Sequence, residues 1–149
     1  MCGGLEFKRP SSMEGSLGLL PEEYEIVRVL FPNPKAAFLV DAAQSLWLPW
    51  GRRKEQPGDW PEGGWARFES LDKRFWTRWD PEPLLIHPFR WMEKDPRRVS
   101  HWSELEPGQG IHLLCLRAAP GRPVYVVTVP STGGFEEIHD RMPRLVDTL

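Results

Sequence analysis

The segments Ile111-His112-Leu113-Leu114-Cys115-Leu116-Arg117 and Val124-Tyr125-Val126-Val127-Thr128-Val129 decide the fold class. Both are short and apolar, and the second is almost wholly β-branched or aromatic, so each reads as a buried strand. Upstream, 84–86 and 89–93 fit strands, and 144–146 fits a closing one. Nearer the N-terminus, 23–31 carries Ile26, Val27, Val29, Leu30 and Phe31 between Pro21 and Pro32 and reads as another strand. Segments 37–40 and 45–48 form a hairpin pair around Asp41-Ala42-Ala43-Gln44.

Between these elements the chain is punctuated. A brief first strand gives way to a polar surface loop over 8–21, and 51–64, with Arg52, Arg53 and Lys54 among prolines and glycines, reads as a long exposed loop. One helix is expected over 70–78: Phe68, Leu71, Phe75 and Trp79 share a stripe, Ser70 can cap, and Pro81 ends it. A short helical turn is expected over 136–140. With 16 prolines and 13 glycines long helices are disfavoured. The expected fold is α+β, mostly antiparallel strands curled into a barrel-like core with a few short helices.

A chain of 149 residues favours a single domain, 1–149, with no internal repeat or low-complexity boundary. At 40% hydrophobic and 27% charged it has a globular composition. No apolar run reaches the ~20 residues of a membrane span, and Met1-Cys2-Gly3-Gly4-Leu5-Glu6 lacks the regions of a signal peptide, so a cytoplasmic location is expected. Cys2 and Cys115 provide no disulfide framework. A net charge of -2 argues against coating of nucleic acid by bulk charge but permits a local basic groove. Eight tryptophans against two tyrosines suggest aromatic packing or flat stacking surfaces.

Four groups of residues can carry chemistry. Removal of Met1 would make Cys2 an N-terminus with an α-amine of pKa ~7.7–8.0 beside a thiol of pKa ~8.5. Such a pair condenses with an aldehyde to an imine and then closes a five-membered thiazolidine; a cysteine at this position can equally be incidental. His139, within Ile138-His139-Asp140-Arg141-Met142-Pro143, has neighbours able to fix its tautomer and attract an anion. Arg67, in Trp65-Ala66-Arg67-Phe68-Glu69-Ser70, can hold a phosphate or carboxylate, or stand solvated at a helix start. Glu93, ending Phe89-Arg90-Trp91-Met92-Glu93-Lys94, becomes an acid/base if apolar surroundings raise its pKa; the plainer reading is a salt bridge to Lys94 or Arg90. His87, His101, His112, His139 and Cys115 show no ligand spacing, so no metal and no cofactor is expected, and His112 and Cys115 read as packing residues.

Met1-Cys2-Gly3, Leu48-Pro49-Trp50-Gly51, Ala66-Arg67-Phe68-Glu69-Ser70, Glu93 and His139-Asp140-Arg141-Met142-Pro143 stand in the order of the motifs of the SOS response-associated peptidase (SRAP) family. The chain resembles a short form of that family over nearly its whole length, without a helix after the first strand. Met-Cys-Gly alone is weak; His-Asp-Arg-Met-Pro is the specific motif. The resemblance implies an abasic-site sensor that captures the aldehyde of an abasic site in single-stranded DNA as a thiazolidine on Cys2, with self-cleavage of the initiator methionine. It implies that Glu93 promotes proton transfer as the opened sugar forms the imine and that His139 acts on the sugar hydroxyl. It also implies that Arg67 and Arg141 hold phosphates and that Trp50 lines the groove and stacks on a base. Two positions depart from the pattern: Trp65 replaces an asparagine near the amine, and Gly4 replaces an arginine, a cation that Arg52, Arg53 and Lys54 can replace.

Two other classes share some features. An N-terminal-nucleophile amidohydrolase also opens Met-Cys-Gly, but the glutamine-site segments that normally follow are missing and the chain is short for stacked sheets. A non-catalytic module whose tryptophans line a sugar or peptide groove fits composition alone. Single-stranded DNA is the expected partner, with no membrane and no second copy of the chain required.

Overall fold

The computed structural model describes residues 2–10 and 24–148, the side chains of Cys2 and Pro10 apart. Twelve strands dominate: β1 (Cys2–Pro10), β2 (Tyr24–Leu30), β3 (Ala37–Asp41), β4 (Leu46–Pro49), β5 (Trp65–Arg67), β6 (Pro81–Ile86), β7 (Arg90–Lys94), β8 (Ser100–Glu104), β9 (Gln109–Leu116), β10 (Val124–Pro130), β11 (Arg141–Pro143) and β12 (Leu145–Asp147). Among the described residues, one helical turn, α1 (Arg74–Thr77), and 3-10 turns at Phe68–Ser70 and Phe135–Glu137 accompany the strands. The architecture is mixed α+β, mostly antiparallel strands in several sheets. Among the described residues no helix is long and apolar enough to cross a membrane.

The first sheet has the order β2-β1-β7-β8, the second pairs β3 with β4, and the third runs β11-β10-β9-β12 with β5 on β10 and β6 on β9. Among the described residues only the β5–β10 ladder is parallel. Strands β9 and β10 read as continuous apolar runs because both of their faces are covered. Leu113, Cys115, Val124 and Val126 join one core with Leu5, Phe7, Phe38, Trp50 and Trp91, residues of all three sheets and their connections. Leu114, Leu116, Tyr125 and Val127 face a second cluster closed by Trp76.

The expected helix over 70–78 is instead a 3-10 turn followed by a single α-turn. Ser70 caps nothing; its hydroxyl donates to the Arg67 carbonyl at 2.9 Å, and Lys73 occupies the N-cap without a side-chain bond. The buried aromatic is Trp76, edge-on to Tyr125 at 4.9 Å, while Phe75 is 59% exposed. One turn has negligible stability of its own, so tertiary packing of Trp76 chooses the inward face over the sequence stripe. Strand β1 is longer than expected, reaching Pro10 and shortening the loop read over 8–21; the remainder of that loop lies outside the described residues. Strand β8 has no counterpart in the sequence pattern: Ser-His-Trp-Ser-Glu has no β-branched residue and is held by its ladder to β7. The turn before it is built by Asp95, whose carboxylate accepts the N–H groups of Arg97 and Val99.

Candidate functional site

The central strand β1 sets the site. Its register pairs Cys2 with Glu93 and Gly4 with Met92, so Gly3 is an extra residue that bulges the strand. Gly4 is glycine for want of space: a Cβ there would lie 2.8 Å from the Leu30 side chain and 3.2 Å from the Val29 carbonyl. An arginine here, as in the family pattern, would require the Leu30 side chain to shift and the Val29 carbonyl to give by a few tenths of an ångström.

Glu93 is 3% exposed, and burial pushes its carboxyl up to about 7. The alternative pairing with Arg90 is not made; that guanidinium pairs with Glu6, Nε to Oε1 at 2.6 Å. Such a carboxyl populates both protonation states near neutrality. His139 follows the turn at Phe135–Glu137. Its Nδ1 accepts the Arg141 backbone N–H at 3.0 Å and lies 2.8 Å from Asp140 Oδ1. These contacts suit opposite proton states: the neutral ring, favoured because burial lowers the pKa, makes the first with its proton on Nε2, and the imidazolium makes the second.

Gly3, Glu93 and His139 line one cavity of about 420 Å³. Phe31, Pro32, Trp65 and Trp102 are among its apolar lining residues, and Arg28, Lys94 and Ser100 among its polar ones. The Trp65 ring packs on Phe31 with centroids 4.6 Å apart. Trp65 also borders a second cavity of about 410 Å³ whose lining includes Arg67, Thr128 and Arg141. The indole therefore stands between the two.

The structure redistributes the remaining expected site residues. Trp50 is 0% exposed at the centre of the core, with its Nε1–H donating to the Gly64 carbonyl at 2.8 Å, so it has no face for a base. Arg53 is an internal strut: its guanidinium donates to the carbonyls of Phe31, Asn33 and Trp50 and stacks on the Phe31 ring. Arg52 donates to the carbonyls of Trp60 and Gln56 at 2.8 and 2.9 Å. Arg52 thus braces the 51–64 loop from within, Arg53 ties that loop to the 31–33 turn and to Trp50, and neither replaces the missing arginine; much of the loop is partly or fully buried rather than exposed. Arg141 is buried and bidentate to Glu69 at 3.0 and 3.2 Å, with Nη2 also donating to the Thr128 carbonyl, so its charge is already matched. Arg67 is exposed, and its guanidinium makes no hydrogen bond among the described residues.

Sequence reading misses Arg28, Lys94, Ser100 and Trp102. Arg28 is a lone cation inside the apolar run 23–31, a visible departure from that pattern. Ser100 and Trp102 become legible only with strand β8. Among the described residues no group of three or more His, Cys, Asp or Glu side chains is placed to hold a metal ion. No family model, no curated protein and no solved structure matches the chain.

Proposed function

We propose that the protein is an SRAP-type abasic-site sensor that captures the aldehyde of an abasic site in single-stranded DNA through Cys2. The observation that carries this reading is the β1 register, which sets residue 2 opposite Glu93 beside the cavity shared by Glu93 and His139. The reading includes removal of Met1 by self-cleavage, a cytoplasmic location, and a barrel-like curl of the sheets about their common core.

His139 assists opening of the sugar by transferring a proton at its hydroxyl. The α-amine of Cys2 adds to the aldehyde carbon; Glu93, poised near neutrality, protonates the departing hydroxyl, and water leaves to give the imine. The Cys2 thiolate then bonds to the imine carbon as the nitrogen gains a proton. One aldehyde, one amine and one thiol thus give one thiazolidine and one water, with no oxidant or cofactor. Exposed Arg67 supplies a phosphate contact at the neighbouring cavity.

Protein shown by intact mass to have lost Met1 should give a denaturation-resistant adduct with single-stranded DNA carrying one abasic site. Cys2→Ser should abolish it, and duplex DNA should react poorly. An adduct that survives Cys2→Ser overturns the mechanism.

A further inference from the structure

We infer that Asp140 is a positioning residue: its carboxylate draws the His139 proton to Nδ1 and so frees Nε2 to act as a base on the closed sugar. This inference deepens the reading above and rests on it for the reaction, but the state of the ring can be measured without any capture.

Backbone bonds fix the two residues that meet. The His139 N–H donates to the Phe135 carbonyl at 3.1 Å, and the Asp140 carbonyl accepts the Ser131 N–H at 3.0 Å. Two groups then claim the same ring nitrogen. The Arg141 N–H, 3.0 Å from Nδ1, needs a lone pair there, whereas Asp140 Oδ1, 2.8 Å away, needs a proton. Both cannot be satisfied at once, so the neutral ring has two tautomers, each with one support and one cost. With the proton on Nε2, the Arg141 N–H is satisfied but a carboxylate faces a lone pair. With the proton on Nδ1, the carboxylate is satisfied but the N–H of buried Arg141 loses that acceptor. Arg141, the neighbour of Asp140 in sequence, spends its guanidinium on Glu69 and Thr128, so the Asp140 carboxylate is left to the imidazole.

Nε2, which neither contact uses, is left for a ligand in the cavity that His139 lines. Opening a closed abasic sugar needs a base at its anomeric hydroxyl, and only the tautomer with Nδ1–H presents a bare Nε2. There Nε2 takes the hydroxyl proton, and the carbonyl forms as the bond from its carbon to the ring oxygen breaks. The imidazolium, held by Asp140, then returns the proton to that oxygen. No atom is gained or lost. Glu93 and Lys94 are the titratable groups that share the cavity lining, and Glu93 acts afterwards, on the hydroxyl that leaves as water. An aldehyde that is already open skips the step that Asp140 supports.

The test compares two aldehydes on protein that has lost Met1: single-stranded DNA with one abasic site, followed by denaturing gel, and propanal, followed by intact mass. Asp140 is exposed, so Asp140→Ala should keep the native melting temperature. It should slow capture of the abasic site on the order of tenfold or more and leave the rate with propanal unchanged. In the same variant, nitrogen-15 signals of the His139 ring should move toward the tautomer protonated on Nε2. An unchanged tautomer balance, or an equal effect on the two aldehydes, would overturn the role of Asp140 even with capture intact. No adduct from the wild type with either aldehyde would overturn the chemistry of Cys2 instead, and the ring signals would then decide on Asp140 alone.

Discussion

Glu6 and Glu93 belong to adjacent strands of one sheet and are equally hidden, at 2% and 3% exposed, yet they titrate in opposite directions. Burial raises both, but at Glu6 the hydrogen bonds and charges of Arg28 and Arg90 outweigh it and the carboxyl ends below its ordinary value. At Glu93 burial prevails and the carboxyl rises to about 7. Their side chains lie on opposite faces of the sheet, because Arg90, beside Glu6, is an odd number of residues from Glu93 along β7. The lesson is that loss of contact with solvent alone assigns no role. A compensated carboxylate is held in one charge state, whereas one whose burial dominates is a candidate for proton transfer.

The sharpest contrast should appear in covalent capture. Glu93→Gln should slow adduct formation by roughly 10²–10⁴-fold, and Glu6→Gln by less than about tenfold in the fraction that stays folded, both read by denaturing gel over time. Equal slowing by the two would erase the distinction. Stability should reverse the order: Glu6→Ala should cost about 1–2 kcal/mol in urea denaturation, since it removes the carboxylate shared by two partly solvated guanidiniums, while Glu93→Gln should be neutral or stabilising at pH 8.

Dependence on pH should divide the pair in the same sense. For Glu93 the folded pKa of about 7 exceeds the ordinary 4.5, so the folded state binds the proton more tightly and stability falls as pH rises from 4.5 to 7. That loss is on the order of 3 kcal/mol and should vanish in Glu93→Gln. For Glu6 the folded pKa is lowered, so its contribution is present above 4.5 and disappears as pH falls through the folded value. The smallest expected effect is Arg90→Lys, about 1 kcal/mol or less, because Arg28 still holds Glu6.

Much of the fold is legible in the sequence. The strands over 111–117 and 124–129 and the 37–48 hairpin are marked by residues that suit a pleated, buried surface. Glu93 is marked by its apolar neighbours, and its raised pKa follows from that setting. Charge is less readable. Arg52, Arg53 and Arg141 look like free cations in sequence but are consumed by carbonyls and by Glu69, partners that come from distant positions. Trp50, which reads as a stacking surface, is core. The reverse error hides Arg28, because its strand stands out only by its apolar residues. Strand β8 escapes a reading of residue types because its pairing to β7, rather than any propensity of its own, makes it a strand.

Strands β9 and β10, covered on both faces and laddered along both edges, also govern how the molecule opens. Their amides should be the last to exchange with heavy water, marking a slow foldon set apart from the β7–β8 hairpin. Of that hairpin, β8 is the edge strand, and it can then fray from β7 and re-form many times within the lifetime of the folded core. The first cavity, which Ser100 and Trp102 of β8 help to line, is thus bordered by a yielding lip mounted on a frame that does not yield.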